Sequence, residues 1–350
     1  MVNIKRIQIK YEKIIIKSVL SHLKPNAIIL YGGYGRNEGS WVLSELNEPQ
    51  PYNDFDIALV YENKISVKIN DAIIKSIKDK VKIKWVDLSQ YRKLELKNLK
   101  NSILNYDFKY ATKVIYGDEK IIDLIPDFKA SKIPLKDIDI LFKTRIWTLV
   151  GSIGEFGICD MSSEDAMFFR NQMAKCILAV VDCNLILEQG YHHSYKERVE
   201  IFKSYTVDKE LKVLVDWALE EKLRPKQIFM SASEVSLLYK SVSEYFLKYF
   251  YIGLSKYYGC EIDSYPDVKK IYFYNSKNYF KRILVNFIRG NKTGDKRALI
   301  IVLQLLCVLY ELNKDKKLLD EICVLSNKVG IMSHDFNSIR FEVAILRMKI

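Results

Sequence analysis

The sequence lacks the features that would place this chain in a membrane or in a secretory pathway. Its most apolar run, Ala298 to Tyr310, is interrupted by Gln304 and falls short of the roughly 20 apolar residues that a membrane-spanning helix needs. The opening residues, MVNIKRIQIKYEK, carry a charge every few positions and have no apolar centre of the kind found in signal peptides. We therefore expect a soluble, cytoplasmic protein that does not bind membranes.

Cysteine is scarce and shows no ligand spacing. The chain has 6 cysteines but no Cys-x-x-Cys pair, the spacing typical of zinc sites and redox motifs. Four of the six lie within apolar, helix-like segments, namely Cys176, Cys183, Cys307 and Cys323. We interpret these as buried, reduced thiols, which argues against a structural zinc site or a disulfide framework.

Acidic residues are outnumbered by basic ones, which gives a formal net charge of +12. Most of the basic residues are lysines spread along the whole chain, and a diffuse lysine excess indicates a polyanionic partner less clearly than an arginine cluster does. The chain has 350 residues, of which 49% are hydrophobic, so it can bury a sizeable core. This composition predicts a globular protein with room for two domains.

The hydrophobic pattern changes near residue 130. Before that point the periods alternate, predicting helices at 11–23 and 70–80 and strands at 27–32, 55–62, 81–89 and 113–119. Beyond a polar segment with two prolines at 125–134, the pattern is helical to the end of the chain. The expected fold class is α+β: an α/β domain at 1–128, built on a small mixed sheet with flanking helices, followed by an all-helical domain at 129–350.

Helix boundary signals support the helical assignment of the second half. Ser162 to Asp165 and Ser231 to Glu234 have the spacing of capping boxes in front of long amphipathic segments. Gly190 is placed where a helix stop is expected. These signals predict helices that begin near residues 163 and 232 and one that ends near residue 190.

A glycine-rich turn, GGYGRNEG at 32–39, follows the first predicted strand. It is not a P-loop, because Glu38 precedes Gly39 and Ser40 where a P-loop has the lysine that meets the phosphates. It is not a dinucleotide fingerprint, because its glycine spacing is one residue too long and the acidic residues downstream begin a strand instead of ending one. Glycines allow a backbone to approach phosphate closely, so the turn is a candidate phosphate site.

Three aspartates follow the turn in a pattern that predicts a metal site. Asp54 and Asp56 are two positions apart at the start of a strand, so both side chains point to one face. Adjacent carboxylates repel each other and are tolerated best around a divalent cation. Asp87 lies late in the strand predicted at 81–89, where alternation places it on one face with Ile83 and Trp85, and a neighbouring strand would bring it beside the pair. Three such carboxylates can hold two metal ions.

Together these motifs resemble the nucleotidyltransferase superfamily related to DNA polymerase beta. The pattern of that superfamily is a glycine pair after an apolar strand, then a spacer, then two carboxylates flanking an apolar residue, then a third carboxylate on a later strand. Gly32 and Gly33 match the glycine pair, Asp54 and Asp56 match the metal-binding pair, and Asp87 is the best candidate for the third carboxylate.

Two departures from the superfamily pattern are visible. The spacer between Gly33 and Asp54 is longer than usual, which implies an inserted loop around residues 43–53. Gly33 also occupies a position that often holds serine, so a hydroxyl contact to phosphate is missing. Neither departure removes the predicted carboxylates.

The resemblance implies a magnesium-dependent enzyme that transfers a nucleoside monophosphate to an acceptor hydroxyl and releases pyrophosphate, with AMP from ATP as the expected case. The three aspartates would bind two Mg²⁺ ions, and Asp87 would also activate the acceptor, with Asp71 and Asp107 as alternatives for that base. The triphosphate would be held by the glycine turn and a neighbouring arginine, that is, by Gly32, Gly33, Tyr34, Gly35 and Arg36.

Several acceptors and one inactive state stay open at the level of sequence. Likeness to antibiotic nucleotidyltransferases with a helical second domain favours a small-molecule acceptor, which that domain would select. The basic, aromatic stretch at 267–297 favours RNA, tRNA or a protein instead, as in toxin-like relatives. A synthase of nucleotide signals and a nucleotide-binding pseudoenzyme are further alternatives. His192 and His193 have no third ligand at metal spacing and predict an exposed loop that can still meet the acceptor or the base.

Overall fold

The structure is a computed structural model that describes residues 4–43, 48–52, 54–62, 67–83, 85–274 and 296–346. The chain divides into two compact units. The first unit comprises Met1–Pro134, Glu188–Val207 and Leu219–Lys226, and the second comprises Leu135–Leu187, Asp208–Ala218 and Gln227–Ile350. Two segments of the predicted helical domain thus belong to the first unit. Most of the basic stretch at 267–297 falls at 275–295, outside the described residues.

The strands all belong to the first unit. In chain order they are β1 (Ala27–Tyr31), β2 (Trp41–Leu43), β3 (Pro49–Pro51), β4 (Phe55–Tyr61), β5 (Val86–Arg92) and β6 (Lys113–Gly117). Four of them form a mixed sheet in the order β5-β4-β1-β6. Strand β4 is antiparallel to β1 and parallel to β5, so the starts of β4 and β5 meet at the edge of the sheet where β1 ends.

Helices flank this sheet and make up nearly all of the described second unit. In chain order the helices are α1 (Ile4–Leu20), α2 (Gly32–Gly35), α3 (Val67–Val81), α4 (Lys93–Lys97), α5 (Ile103–Tyr110), α6 (Lys136–Ser152), α7 (Ser163–Leu187), α8 (Tyr195–Tyr205), α9 (Lys209–Leu223), α10 (Ala232–Tyr258), α11 (Tyr265–Tyr274), α12 (Lys296–Asn313), α13 (Lys316–Val329) and α14 (Phe336–Leu346). A single bridge between Met161 and Met230 is the one β pairing described in the second unit. The architecture is therefore α+β, as the sequence predicted.

The two faces of the sheet carry different side chains. Ile57 and Leu59 of β4 point to one face, where they pack in a cluster with Ile73 and Ile77 of α3. The opposite face carries smaller residues such as Ala58, which packs in a second cluster with helices α4 and α5. Because side chains alternate along a strand, Asp56 lies on the same face as Ala58, away from α3.

Strand β5 begins later than its sequence suggested. Helix α3 runs to Val81, and Lys82 adopts a left-handed conformation with φ 58°, a geometry that ends helices. Ile83 and Trp85 therefore precede the strand, and Trp85 is 60% exposed. The prediction that Asp87 lies late in a strand, on one face with Ile83 and Trp85, was wrong, since Asp87 is the second residue of β5.

Part of the long spacer after the glycine turn forms a two-stranded ribbon. Strands β2 and β3 pair in antiparallel fashion, with Trp41 opposite Pro51, and Tyr34 packs edge-on against Trp41 at 5.4 Å between ring centroids. Residues 44–47 lie outside the described residues. The spacer thus contributes apolar surface beneath the turn, because Trp41 packs against the same cluster as β1 and β4.

The predicted boundary signals of the second unit are largely confirmed. Ser231 and Glu234 form a reciprocal capping box at the start of α10, and the Ser162 hydroxyl accepts from the backbone N–H of Asp165 at 3.2 Å. Helix α7 ends at Leu187, but Gln189, with φ 59°, takes the left-handed position, so Gly190 is not the residue that turns the chain.

The expected environment of the cysteines is also largely found. Cys176, Cys183 and Cys307 are buried free thiols, and Cys323 is half-buried.

Among the described helices, none combines the length and apolarity required to cross a bilayer.

Candidate active site

The strand arrangement brings the three predicted aspartates together. Asp56 is the second residue of β4, where it pairs with Tyr31 at the end of β1 on one side and with Asp87 of β5 on the other. Asp54 lies two positions earlier, just before the strand. One carboxylate oxygen from each of the three aspartates lies within 4.8 Å of the other two. No other such group of three potential ligands occurs among the residues that the structure describes.

The electrostatics of this cluster are those of a site short of positive charge. Burial and the negative charges of Asp54 and Asp87 raise the pKa of Asp56 to about 8, while Lys222 and Arg36 act in the opposite direction. Burial and the charge of Asp54 also raise the pKa of Asp87. Closely spaced carboxylates of this kind are relieved by a bound cation. An all-oxygen donor set fits a hard divalent ion such as Mg²⁺.

The glycine turn lies directly against the aspartate cluster. Gly32 has φ +63°, and a Cβ atom placed on it would lie 1.9 Å from Oδ2 of Asp56. A Cβ on Gly35 would lie 2.5 Å from the carbonyl oxygen of Leu30, because α2 folds back on β1. Both glycines are therefore required by close backbone packing. This packing places the turn predicted to hold a triphosphate beside the carboxylates predicted to hold metal.

Tyr34 contributes its side chain to the core instead of to a ligand surface. Its hydroxyl donates to the carbonyl of Ser40 at 2.6 Å, and its ring packs on Phe55 with centroids 4.4 Å apart. The side chain is 1% exposed. The side chain of Tyr34 is therefore not available for the nucleotide contact that was predicted for this residue.

Arg36 is held within a buried cluster of charges. Its guanidinium donates to Asp107 at 3.0 Å and to the carbonyl oxygen of Gly32 at 3.2 Å, and it also reaches the carbonyl of His193. Burial lowers the pKa of Arg36, but Asp107 and two tyrosines outweigh that effect, so the pKa is raised and the group stays charged. A direct contact of Arg36 with phosphate stays a prediction.

The surroundings of the two alternative bases count against each of them. Asp107 accepts hydrogen bonds from Arg36, Arg198 and the Tyr191 hydroxyl, so its carboxylate is already engaged by two cations. Asp71 is an exposed residue of α3, which packs on the face of the sheet opposite Asp56. Asp87 is the most exposed of the three clustered aspartates. Its role as the base that activates the acceptor stays a prediction.

Sequence reasoning did not identify several residues around the cluster. The Tyr31 hydroxyl lies 3.2 Å from Oγ of Ser89, and burial, with a smaller effect of Asp56, raises the pKa of Tyr31 to about 12. Lys222 lies in a segment of the first unit that is remote in sequence, and its backbone carbonyl accepts from the Ser40 hydroxyl. Ser89 lies two positions after Asp87 in β5, so alternation along the strand could have placed it near the cluster. Lys222 has no such local signal, since only the fold brings it near Asp56.

The chain shows some likeness to a known protein in structure and none in sequence. No protein-family model matches the chain, and no curated protein sequence does so either. A solved structure with some likeness is the crystal structure of spectinomycin adenyltransferase AAD(9) from Enterococcus faecialis with ATP and spectinomycin. That likeness has 14% sequence identity and a TM-score of 0.42, and it covers 67% of this chain and 98% of that chain. A TM-score this low supports no conclusion about function, which must rest on the residues of this chain.

Proposed function

We propose that this chain is a magnesium-dependent nucleotidyltransferase. It would transfer a nucleoside monophosphate, AMP from ATP in the first instance, to the hydroxyl group of a small molecule and release pyrophosphate. The observation that carries this proposal is the convergence of Asp54, Asp56 and Asp87, with Asp56 lying directly against Gly32. A carboxylate cluster and a phosphate-accepting turn in contact are the two halves of a site for a metal-bound nucleotide.

The three aspartates would together hold two magnesium ions in the full complex. Asp54 and Asp56 are half-buried, whereas Asp87 is exposed. When bound, magnesium supplies electrostatic stabilisation of the transferred phosphoryl group and of the leaving pyrophosphate. The backbone amides of the glycine turn would orient the triphosphate so that its α-phosphorus faces the acceptor.

Asp87 would act as the general base. Asp87 is exposed enough for an acceptor hydroxyl to approach it. Its partial burial and the charge of Asp54 raise its pKa, which makes it a stronger base than an ordinary aspartate. The hydroxyl proton passes to the Asp87 carboxylate as the new oxygen–phosphorus bond forms. The bond between the α-phosphorus and its bridging oxygen breaks, and pyrophosphate leaves with that oxygen.

Label transfer tests this proposal. The purified protein is incubated with Mg²⁺ and each α-labelled nucleoside triphosphate, alone and with a small-molecule extract, total RNA or cell protein. We expect label in a small molecule, dependence on Mg²⁺, and loss of transfer in excess EDTA. Label in RNA or protein would identify the acceptor classes that the proposal disfavours, and an oligonucleotide product formed without acceptor would indicate a signal synthase.

Substitution of the proposed base gives a quantitative prediction. Asp87→Asn should lower kcat by about 10²- to 10⁴-fold, the usual contribution of a general base, while calorimetry still detects binding of ATP. Asp79→Asn, at an exposed position of α3, is the matched control and should leave kcat unchanged. Full turnover by Asp87→Asn would place the base elsewhere. ATP binding by the unaltered chain without turnover on any acceptor would favour the pseudoenzyme.

A further inference from the structure

A buried carboxylate of the glycine turn has no role in the proposed chemistry. We propose that Glu38 is a positioning residue that locks the glycine turn to the histidine loop, residues 190–194, and to α8, and that this lock sets the affinity for the nucleotide. The inference rests on the proposed function for its link to nucleotide binding. The lock itself is argued from contacts within the first unit.

Glu38 caps the start of α8 from a distant part of the chain. Its carboxylate accepts from the Ser194 hydroxyl at 2.7 Å, from the Tyr195 N–H at 2.8 Å and from the Lys196 N–H at 3.3 Å. The N–H groups at the start of a helix lack partners within the helix and carry partial positive charge, so a carboxylate is favourable there. Ser194 also caps α8 locally, by accepting from the Glu197 N–H at 3.3 Å. Glu38 is thus a second cap, and it is 6% exposed.

Two buried arginines hold the preceding histidine loop from the other side. Arg36 and Arg198 each donate to Asp107 at 3.0 Å. Both also donate to the carbonyl oxygen of His193, and Arg198 reaches the carbonyl of His192 as well. The carbonyl groups of the loop therefore meet cations, whereas the amide groups that follow it meet the anion Glu38. The two arginines and Glu38 thus hold consecutive stretches of this backbone in one conformation through charge-assisted hydrogen bonds.

Arg36 and Glu38 are two positions apart within the glycine turn itself. Asn37 between them has φ 61°, a left-handed conformation that asparagine tolerates better than most residues. The N–H of Glu38 donates to the carbonyl of Gly33 at 2.8 Å, so the turn closes on itself at the glycine pair. Removing the Glu38 carboxylate would therefore release the end of the turn whose beginning contacts Asp56.

The histidine loop is less exposed than the sequence predicted. His192 and His193 are half-buried, and their rings stack with centroids 4.2 Å apart. Burial is the main factor that lowers the pKa of His193, with the nearby His192 adding to it. The loop is thus an ordered part of the first unit, held against the turn by the charges described above.

The test compares two substitutions of Glu38 in the full-length chain. Glu38→Gln keeps an acceptor oxygen but loses the charge, and Glu38→Ala loses both. Amide hydrogen exchange at residues 194–198 and the Kd for ATP with Mg²⁺ are measured for each. We expect Glu38→Ala to raise exchange at Tyr195 and Lys196 and to weaken ATP binding by about tenfold or more, with Glu38→Gln intermediate. Glu200→Gln, at an exposed position of α8, is the matched control and should change neither quantity.

The outcomes separate this inference from the proposed function. Raised exchange with an unchanged Kd in both variants would make Glu38 a structural cap only and overturn the inference, as would unchanged exchange in Glu38→Ala. Failure of the unaltered chain to bind ATP overturns the proposed function, and the exchange data then still report whether the lock exists. If Glu38→Ala does not fold, amide hydrogen exchange and the Kd for ATP are measured on Glu38→Gln alone, and an unchanged value of either quantity overturns the inference.

Discussion

Replacing Gly32 with alanine is expected to slow nucleotidyl transfer strongly and to weaken magnesium binding. The added Cβ would lie 1.9 Å from Oδ2 and 2.8 Å from Cγ of Asp56, so either the carboxylate or the turn must move. Displacement of catalytic groups by about 1 Å can cost about 10²-fold in rate. We expect kcat to fall by at least that factor and the magnesium concentration for half-maximal activity to rise.

The same substitution carries a backbone cost that must be separated from the collision. Gly32 has φ +63°, and a non-glycine residue in that region costs about 1–3 kcal/mol. Gly154→Ala is the matched control, because Gly154 has φ +60° and a Cβ there would meet no atom within 4 Å. Gly154→Ala should lower the free energy of unfolding without changing the magnesium dependence. Normal activity and magnesium dependence in Gly32→Ala would show that the turn and Asp56 do not act together.

Asp56→Asn should also remove transfer, by at least about 10³-fold, or about 4 kcal/mol of transition-state stabilisation. Asp56 is the central residue of the cluster, paired with Tyr31 and Asp87 in the sheet, and its loss removes a ligand and the charge that attracts the cation. Magnesium should then stabilise the variant against heat less than it stabilises the unaltered protein. Thermal unfolding with EDTA or with Mg²⁺ measures this difference, with Asp79→Asn as the control.

The dependence of stability on pH gives a second signature of Asp56. The pKa of Asp56 is raised to about 8 in the folded chain, compared with about 4 in an unfolded chain. Between these values the folded state binds a proton that the unfolded state has released, so metal-free stability falls as the pH rises from about 4 to about 8. Asp56→Asn should flatten this slope. Magnesium should stabilise the unaltered protein more at pH 8 than at pH 6, because protons compete for the same carboxylate. Equal slopes in EDTA would contradict the raised pKa.

The accuracy of the sequence predictions varied with the kind of signal. Strand β1 and strand β4 were predicted to within a residue or so, because continuous apolar runs bounded by turn residues identify buried central strands. The start of β5 was misplaced because Val81, Ile83 and Trp85 alternate with polar residues like a strand, although Val81 ends α3 and the other two precede β5. The left-handed Lys82 that ends the helix has no sequence signature. Helix α5, Ile103–Tyr110, was not predicted, since it is short and its pattern is weak.

The sequence by itself determined that Asp54 and Asp56 would share one face, because alternation along a strand depends only on position in the chain, whereas the pairing of β4 with β5 decided that Asp87 joins them. It also determined the need for glycine at residue 32, since the turn follows directly from β1. Only the tertiary structure decided which groups complete the site. Glu38 meets Ser194 across 156 positions of the chain, and Lys222 comes from a segment of the first unit beyond α8. Contacts at such separations depend on how whole helices pack, and no local pattern encodes them.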